Sequence, residues 1–155
     1  MAKAARQPKR PSTTTPAAVV RRGVLEAVEA CEAKKAADTA VLELEKGSGA
    51  FTDYFVISSG ANPRQIQAIS DEVEERLGRA GFRPTHVEGY QQAEWVLVDY
   101  VDFVVHIFSE GARRYYDLER LWRSARRTTP DELTRGRRVK KTARPRQRRR
   151  PGRKS

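Results

Sequence analysis

Apolar residues recur at helical spacing in two segments of the first half of the chain. Val20, Val24 and Val28 are separated by charged residues, which predicts an amphipathic helix over residues 16–36. A second helix is predicted to follow Asn62, because an Asn-Pro pair supplies a capping side chain and a proline at the first helical position. The apolar stripe of this second helix consists of Ile66, Ile69, Val73 and Leu77.

Short apolar runs predict the strands. Residues 39–45 alternate between apolar and polar, whereas residues 53–60 form a near-continuous apolar run, as expected of a central strand covered on both faces. Val41 and Phe51 are expected to reach the core. The remaining predicted elements are strands at residues 87–90, 95–100 and 103–108 and a helix at residues 112–126. This order indicates an α/β domain in which helices pack on a mixed sheet of about five strands.

Charge is distributed unevenly along the chain. Residues 1–14 hold four basic and no acidic residues, residues 15–122 hold 12 basic and 18 acidic ones, and residues 123–155 hold 15 basic and 2 acidic ones. The net charge of +11 therefore combines an acidic body with basic ends. Because the end segments have almost nothing to bury, we expect a disordered basic leader (1–14), an α/β domain (15–127) and a disordered basic tail (128–155).

Cysteine usage and hydropathy exclude several classes of protein. A single cysteine, Cys31, rules out an internal disulfide and a cysteine cluster for zinc, which is typical of a reduced, cytoplasmic protein. No apolar run approaches the roughly 18 residues of a membrane span. The first 22 residues are acid-free and rich in Ser, Thr and Arg, which leaves a transit peptide open, although three prolines interrupt any long amphipathic helix there.

The stretch "EWVLVDYVDFVVHIFSEGARRYYDLERLW" contains the residues that suggest catalysis. Asp99 and Asp102 lie on either side of a predicted tight turn, without the further ligands that a metal site needs. His106 lies inside an apolar strand and has no nucleophile near it in sequence, so a structural hydrogen bond is the favoured interpretation. We therefore expect no enzymatic activity, no cofactor and no metal.

The same stretch also suggests a docking surface. Alternation along the strand places Trp95, Leu97 and Asp99 on one face and the intervening valines on the other. A carboxylate is seldom buried beside Trp and Leu, but an aromatic anchor, an aliphatic neighbour and a carboxylate together suit an interface with a cationic partner. The alternative left open is that Trp95 and Leu97 pack beneath the first or the last helix.

A resemblance to a known family rests on two stretches, "DYFVISSGANPRQIQAISDEVEERL" and "VEGYQQAEWVLVDYVDFVVHIFSEGARRYYDLERLW". In this order and spacing they resemble the ribosomal silencing factor family, also called RsfS or Iojap, over residues 18–125. The resemblance implies a protein that binds the large ribosomal subunit at its fourteenth protein, obstructs docking of the small subunit and represses translation when nutrients are short. Such a protein is cytoplasmic and ribosome-associated, and it is not an enzyme.

The resemblance also implies a fold and a contact surface. The family's fold is similar to that of small nucleotidyltransferases, but Phe55 stands where the second carboxylate of such an enzyme's metal-binding pair would be. The family's contact surface includes the predicted strand at 95–100. We carry that surface over to Trp95, Leu97 and Asp99, with Gln92 and Glu94 as expected neighbours. Some members self-associate, so a homodimer is left open.

The basic tail has a possible role of its own. Its arginines are expected to attract the phosphates of ribosomal RNA, and the densest group is Arg144, Arg146, Arg148, Arg149 and Arg150. A purely solubilising tail is left open, as is a general RNA-binding protein driven by this tail. The acidic body and the lack of an RNA-reading motif argue against the general RNA-binding protein.

Overall fold

The computed structural model describes residues 15–45 and 48–135. The expected leader at residues 1–14 and the five tail arginines lie outside the described residues. The described helices are α1 (Ala17–Ala33), α2 (Pro63–Arg79), α3 (Glu110–Tyr116), α4 (Leu118–Leu121) and α5 (Pro130–Arg135). The described strands are β1 (Ala37–Glu43), β2 (Tyr54–Gly60), β3 (His86–Glu88), β4 (Trp95–Asp99), β5 (Phe103–Ser109) and β6 (Arg126–Thr128).

The strands form one mixed sheet in the order β3-β4-β5-β2-β1-β6. β2 and β5 pair in parallel at its centre, and every other neighbouring pair is antiparallel. This confirms the predicted α/β class with a mixed sheet. The sheet has six strands rather than about five, because β6 adds to the edge of β1.

The two faces of the sheet are covered unequally. Helices α1 and α2 cover one face, which we call the helix-covered face, and bury a large core that includes Val24, Val56, Ile69 and Phe103. On the opposite, open face lies a second, smaller cluster that includes Leu42, Ile57, Phe108 and Leu118. Helices α3 and α4, Ala50 before β2, and Trp122 and Ala125 after α4 pack on this cluster, while Trp95 and Leu97 at its edge are half-buried.

The side chain of Gln65 joins the start of α2 to the end of α1. Asn62 caps α2, its Oδ1 accepting from the backbone N–H of Gln65 at 2.8 Å, as predicted. The Gln65 Nε2 then donates to the carbonyls of Lys34 and Lys35, both at 3.0 Å, just after α1. The start of α2 is therefore fixed to the end of α1 on the helix-covered side.

The single helix predicted at residues 112–126 is wrong. The chain breaks at Asp117, whose φ of 48° is left-handed, and separates α3 from α4. In this segment Tyr115 is 80% exposed and Leu121 is 71% exposed, whereas Leu118 is buried. The expectation that Phe51 reaches the core is also wrong, because its side chain is 95% exposed, while Val41 is buried as expected.

The expected domain end at residue 127 is wrong as well. β6 continues to Thr128 on the edge of β1, and α5 packs on α1 with Leu133 only 3% exposed in the main core. One buried leucine among charged residues gives too weak a pattern to predict a helix. The folded domain therefore extends to at least residue 135.

Candidate functional site

Strand β4 places the predicted docking residues on the open face. Val96 and Val98 are fully buried on the helix-covered face, while Trp95, Leu97 and Asp99 are half-buried on the other. Both Trp95 and Leu97 pack against the cluster on this face, and Trp95 also contacts Tyr116 of α3, so each side chain is partly covered and partly open to solvent. The alternation that the sequence predicts is confirmed.

The indole of Trp95 is held in one orientation by three neighbours. Its Nε1 donates to Nδ1 of His106 at 3.0 Å, on the adjacent strand β5. Its ring lies 5.0 Å from that of Phe108 and 4.6 Å from that of Tyr116, measured between centroids. Because the side chain is already ordered, an interface formed on it loses little conformational entropy.

His106 is the polar support of this arrangement. His106 lies on β5, opposite Leu97 of β4 and Ile57 of β2, and its side chain is almost fully buried. Burial lowers the pKa of His106 to about 3, so the imidazole is neutral at physiological pH. Since Nδ1 accepts from Trp95, the ring proton resides on Nε2. The structural interpretation of His106 is confirmed.

Asp99 ends β4 in a turn that fixes its carboxylate. Its Oδ1 accepts from the backbone N–H of Val101 at 2.8 Å, and the N–H of Asp102 donates to the carbonyl of Tyr100 at the same distance. Val101 consequently adopts a φ of 73°. The turn holds the negative charge of Asp99 at the end of the row that starts with Trp95.

Gln92 and Glu94 lie at the entry to β4, and both side chains are exposed. The turn before them requires Gly89, whose φ is 83° and whose Cβ, were there one, would lie 2.1 Å from the carbonyl oxygen of Trp95. The carbonyl of Glu94 accepts from the N–H of Ser109, which continues the pairing with β5. The structure thus brings all five predicted docking residues to one strand and its entry.

The open face carries further aromatic residues beside the predicted docking residues. Tyr116 is 48% exposed beside Trp95, and Trp122 packs edge-on against Phe55 at 5.9 Å. The position of Phe108 on the open face follows from the same strand alternation that places His106 there. The position of Tyr116 beside Trp95 does not follow from the sequence, because it depends on the break between α3 and α4.

Arg113 links α3 to the sheet and to α4. Its Nη1 donates to Ser59 Oγ and its Nη2 to the carbonyl of Asp38, both at 2.8 Å. Nε and Nη2 also bond the Glu119 carboxylate, at 3.1 and 2.8 Å. The same guanidinium lowers the pKa of Glu119, with its hydrogen bond as the main cause. Arg113 therefore fixes α3 and α4 to the sheet.

None of the helices in the described part of the chain has the length and apolar character needed to cross a membrane. Within residues 15–45 and 48–135, no three His, Cys, Asp or Glu side chains converge as metal ligands would.

Comparison with known proteins gives consistent matches. The Bacillus subtilis ribosomal silencing factor RsfS is 41% identical over 99 residues, which cover 64% of this chain and 83% of that protein. A crystal structure of a Chromobacterium violaceum protein is 34% identical with a TM-score of 0.64, covering 66% of this chain and 85% of that one. A Bacillus halodurans crystal structure is 35% identical with a TM-score of 0.60, covering 70% and 98%.

The profile of one protein family, described as ribosomal silencing factor during starvation, matches residues 18–155. That range includes the open-face strand β4, the whole sheet and the C-terminal segment. Since the match takes in nearly all of the sequence, the chain belongs to the ribosomal silencing factor family, RsfS.

Proposed function

We propose that the protein docks the open face of β4 on the fourteenth protein of the large ribosomal subunit. It thereby blocks joining of the small subunit and represses translation. Family membership supports the ribosomal context, and the row formed by Trp95, Leu97 and Asp99 supports the site. In this proposal the protein acts in the cytoplasm on ribosomal particles.

The observation that carries the proposal is that this row is half-exposed and yet held rigid. Trp95 offers a fixed aromatic surface, Leu97 an apolar neighbour, and Asp99 a negative charge. Interfaces are typically anchored by buried aromatic residues with charges toward the rim. Ribosomal proteins are basic, so the charge of Asp99 has the complementary sign. A specific contact of this kind buries about 800 Å² on each partner.

In the proposed mechanism the protein acts by occupying its binding site on the large subunit, and it catalyses no reaction. A rigid domain bound near the subunit interface occupies the volume that the small subunit needs. The histidine that suggested catalysis is neutral and bonded to Trp95, which suits support of the anchor better than proton transfer. The basic tail adds a non-specific attraction to ribosomal RNA. The competing function, general RNA binding by that tail, predicts binding that does not depend on Trp95 or Leu97.

Substitutions on β4 test the proposal. Leu97→Arg puts a bulky cation on the open face, and we expect it to weaken binding to the purified large subunit about 100-fold, or about 2.7 kcal/mol. Trp95→Ala is expected to abolish binding while the domain remains folded. Sedimentation with purified subunits measures binding, and light scattering measures subunit joining.

Val87→Arg is the matched control. Val87 is an exposed apolar residue on β3 and pairs with Val98, so its side chain lies on the opposite face at the same sheet edge. This variant should bind and inhibit like the wild type. Undisturbed subunit joining at saturating wild-type protein would refute the proposed function, whatever the variants do.

A further inference from the structure

The corner between α3 and α4 forms a second surface beside the β4 row. It encloses a cleft of about 460 Å³. The α3–α4 corner includes Arg114, Tyr115, Tyr116, Arg120, Leu121 and Arg123. The cleft lies next to the open face of the sheet, because Tyr116 lines the cleft and also contacts Trp95.

Positive charge at this corner is not balanced by neighbouring acids. Arg114, Arg120 and Arg123 are exposed, and none forms a salt bridge with another residue in the described ranges. Nearby Arg113, in contrast, is bonded to Glu119, which also pairs with another arginine. Three unpaired guanidinium groups in a domain whose residues 15–122 are net acidic indicate a local site for an anion.

Asp117 is the one carboxylate among the residues that line the cleft. Against it stand three arginines, so the lining keeps an excess of positive charge. The Glu119 carboxylate, two residues further on, pairs with Arg113 at 2.8 Å and with Arg127 at 3.3 Å. It therefore does not neutralise the three arginines of the cleft.

The corner also exposes aromatic and apolar surface to solvent. Tyr115 is 80% exposed and Leu121 is 71% exposed, so the corner offers aromatic and apolar surface that a partner can cover. The Tyr115 and Tyr116 rings lie at 89° to each other with their centroids 5.0 Å apart, and most of the Tyr115 side chain remains open to solvent. Arginines beside an exposed tyrosine ring match the chemistry of single-stranded or looped RNA, where phosphates pair with guanidinium groups and bases stack on aromatic rings.

We propose that the α3–α4 corner binds RNA of the large ribosomal subunit, so that the domain docks across a junction between a ribosomal protein and RNA. The inference rests on the proposed function and extends it. A basic protein fits the β4 row, whose charge comes from Asp99, and is repelled by the corner. RNA fits the corner and is repelled by Asp99. Adjacent surfaces of opposite charge therefore recognise the two components of a ribonucleoprotein.

Salt dependence of binding tests the RNA contact in the full chain. Each arginine that neutralises a phosphate contributes about 0.7 to 0.9 to the slope of log affinity against log salt. Replacing Arg114, Arg120 and Arg123 together by Gln should therefore reduce the slope for large-subunit binding by about 2. Tyr115→Ala should weaken binding about tenfold with little change in slope, because stacking releases no counterions.

A triple replacement on the other side of the sheet is the matched control. Arg64, Arg79 and Arg83 are exposed, and replacing them by Gln removes the same charge from α2 and the loop after it. The control should retain the wild-type slope. If the corner triple also retains it, or if both triples reduce it equally, the corner is not an RNA site.

Photo-crosslinking distinguishes failure of this inference from failure of the proposed function. A photoreactive benzoylphenylalanine replaces the exposed Gln92 at the entry to β4 in one sample and Tyr115 in another. We expect position 92 to crosslink to a ribosomal protein and position 115 to ribosomal RNA. If position 115 crosslinks only to protein, the corner binds protein and the inference falls while the proposed function stands. If neither position crosslinks to the large subunit, the proposed function falls and the inference with it.

Discussion

At the scale of single residues, the proposed docking residues Trp95, Leu97 and Asp99 depend on a buried polar residue, His106, which lies beneath the surface. His106 is buried among apolar side chains, and its one hydrogen bond to a described residue positions the indole of Trp95. The sequence alone indicated a structural histidine. It did not identify Trp95 as the partner, because the two residues are eleven positions apart and meet only through the register of β4 and β5.

Because His106 is buried in its neutral form, acidification should lower the free energy of unfolding. The folded protein holds its pKa near 3, whereas the unfolded chain takes up the proton near 6.5, so the unfolded state binds more protons between these values. The free energy of unfolding should therefore be constant above pH 7 and fall by about 2 kcal/mol between pH 7 and 5. Urea unfolding across that range measures the fall. His106→Phe should largely remove it, and an identical fall in both proteins would contradict this account.

At the scale of elements, sequence periodicity predicted the long helices and the central strands but not the break in the chain at Asp117. The long helices, the central strands and the alternation of β4 follow from regular patterns of apolar residues. The break at Asp117 does not, since an aspartate tolerates both helical and left-handed backbone. What stabilises the break is the contact of Arg113 with Glu119 across it, which no local pattern reveals. Helix α5 was missed for a similar reason, because its burial depends on Leu133 alone.

The break between α3 and α4 can be tested at Asp117. Its φ of 48° is unstrained for glycine but costly for a β-branched residue. We expect Asp117→Gly to change the free energy of unfolding by less than about 0.5 kcal/mol and Asp117→Val to lower it by about 1 to 2 kcal/mol. Chemical denaturation measures both. Equal stability of the two variants would show that the left-handed conformation is not required there.

At the scale of the whole molecule, the two faces of the sheet have different proposed roles. The helix-covered face holds the larger core, whereas the proposed partner surfaces are the open face and the α3–α4 corner. The acidic body could be predicted from the charge count, whereas the position of the unpaired arginines could not. Their pairing is decided by which acids come close in space, as the bond between Arg113 and Glu119 illustrates.

Two truncations separate the folded C-terminal segment from the basic tail. Removing residues 136–155 deletes 11 basic residues but none of the described contacts. If the tail neutralises about four phosphates, this should flatten the salt slope of large-subunit binding by about 3 to 4, with unchanged thermal stability. Removing residues 128–155 should also lower stability, by about 2 to 5 kcal/mol, because Leu133 is lost from the core. Equal stability of the two truncated proteins would contradict the domain end at residue 135.

The parallel pairing of β2 with β5 also bears on how the protein is made. These central strands join residues 54–60 to residues 103–109, and β4 pairs only with β5 and the short β3. Such distant contacts form late, after the loop between them has closed. A nascent chain whose residue 109 has not yet emerged from the synthesising ribosome therefore cannot complete the strand pairing that orients Trp95. Under the proposed function, a copy that is still being synthesised has no formed docking surface.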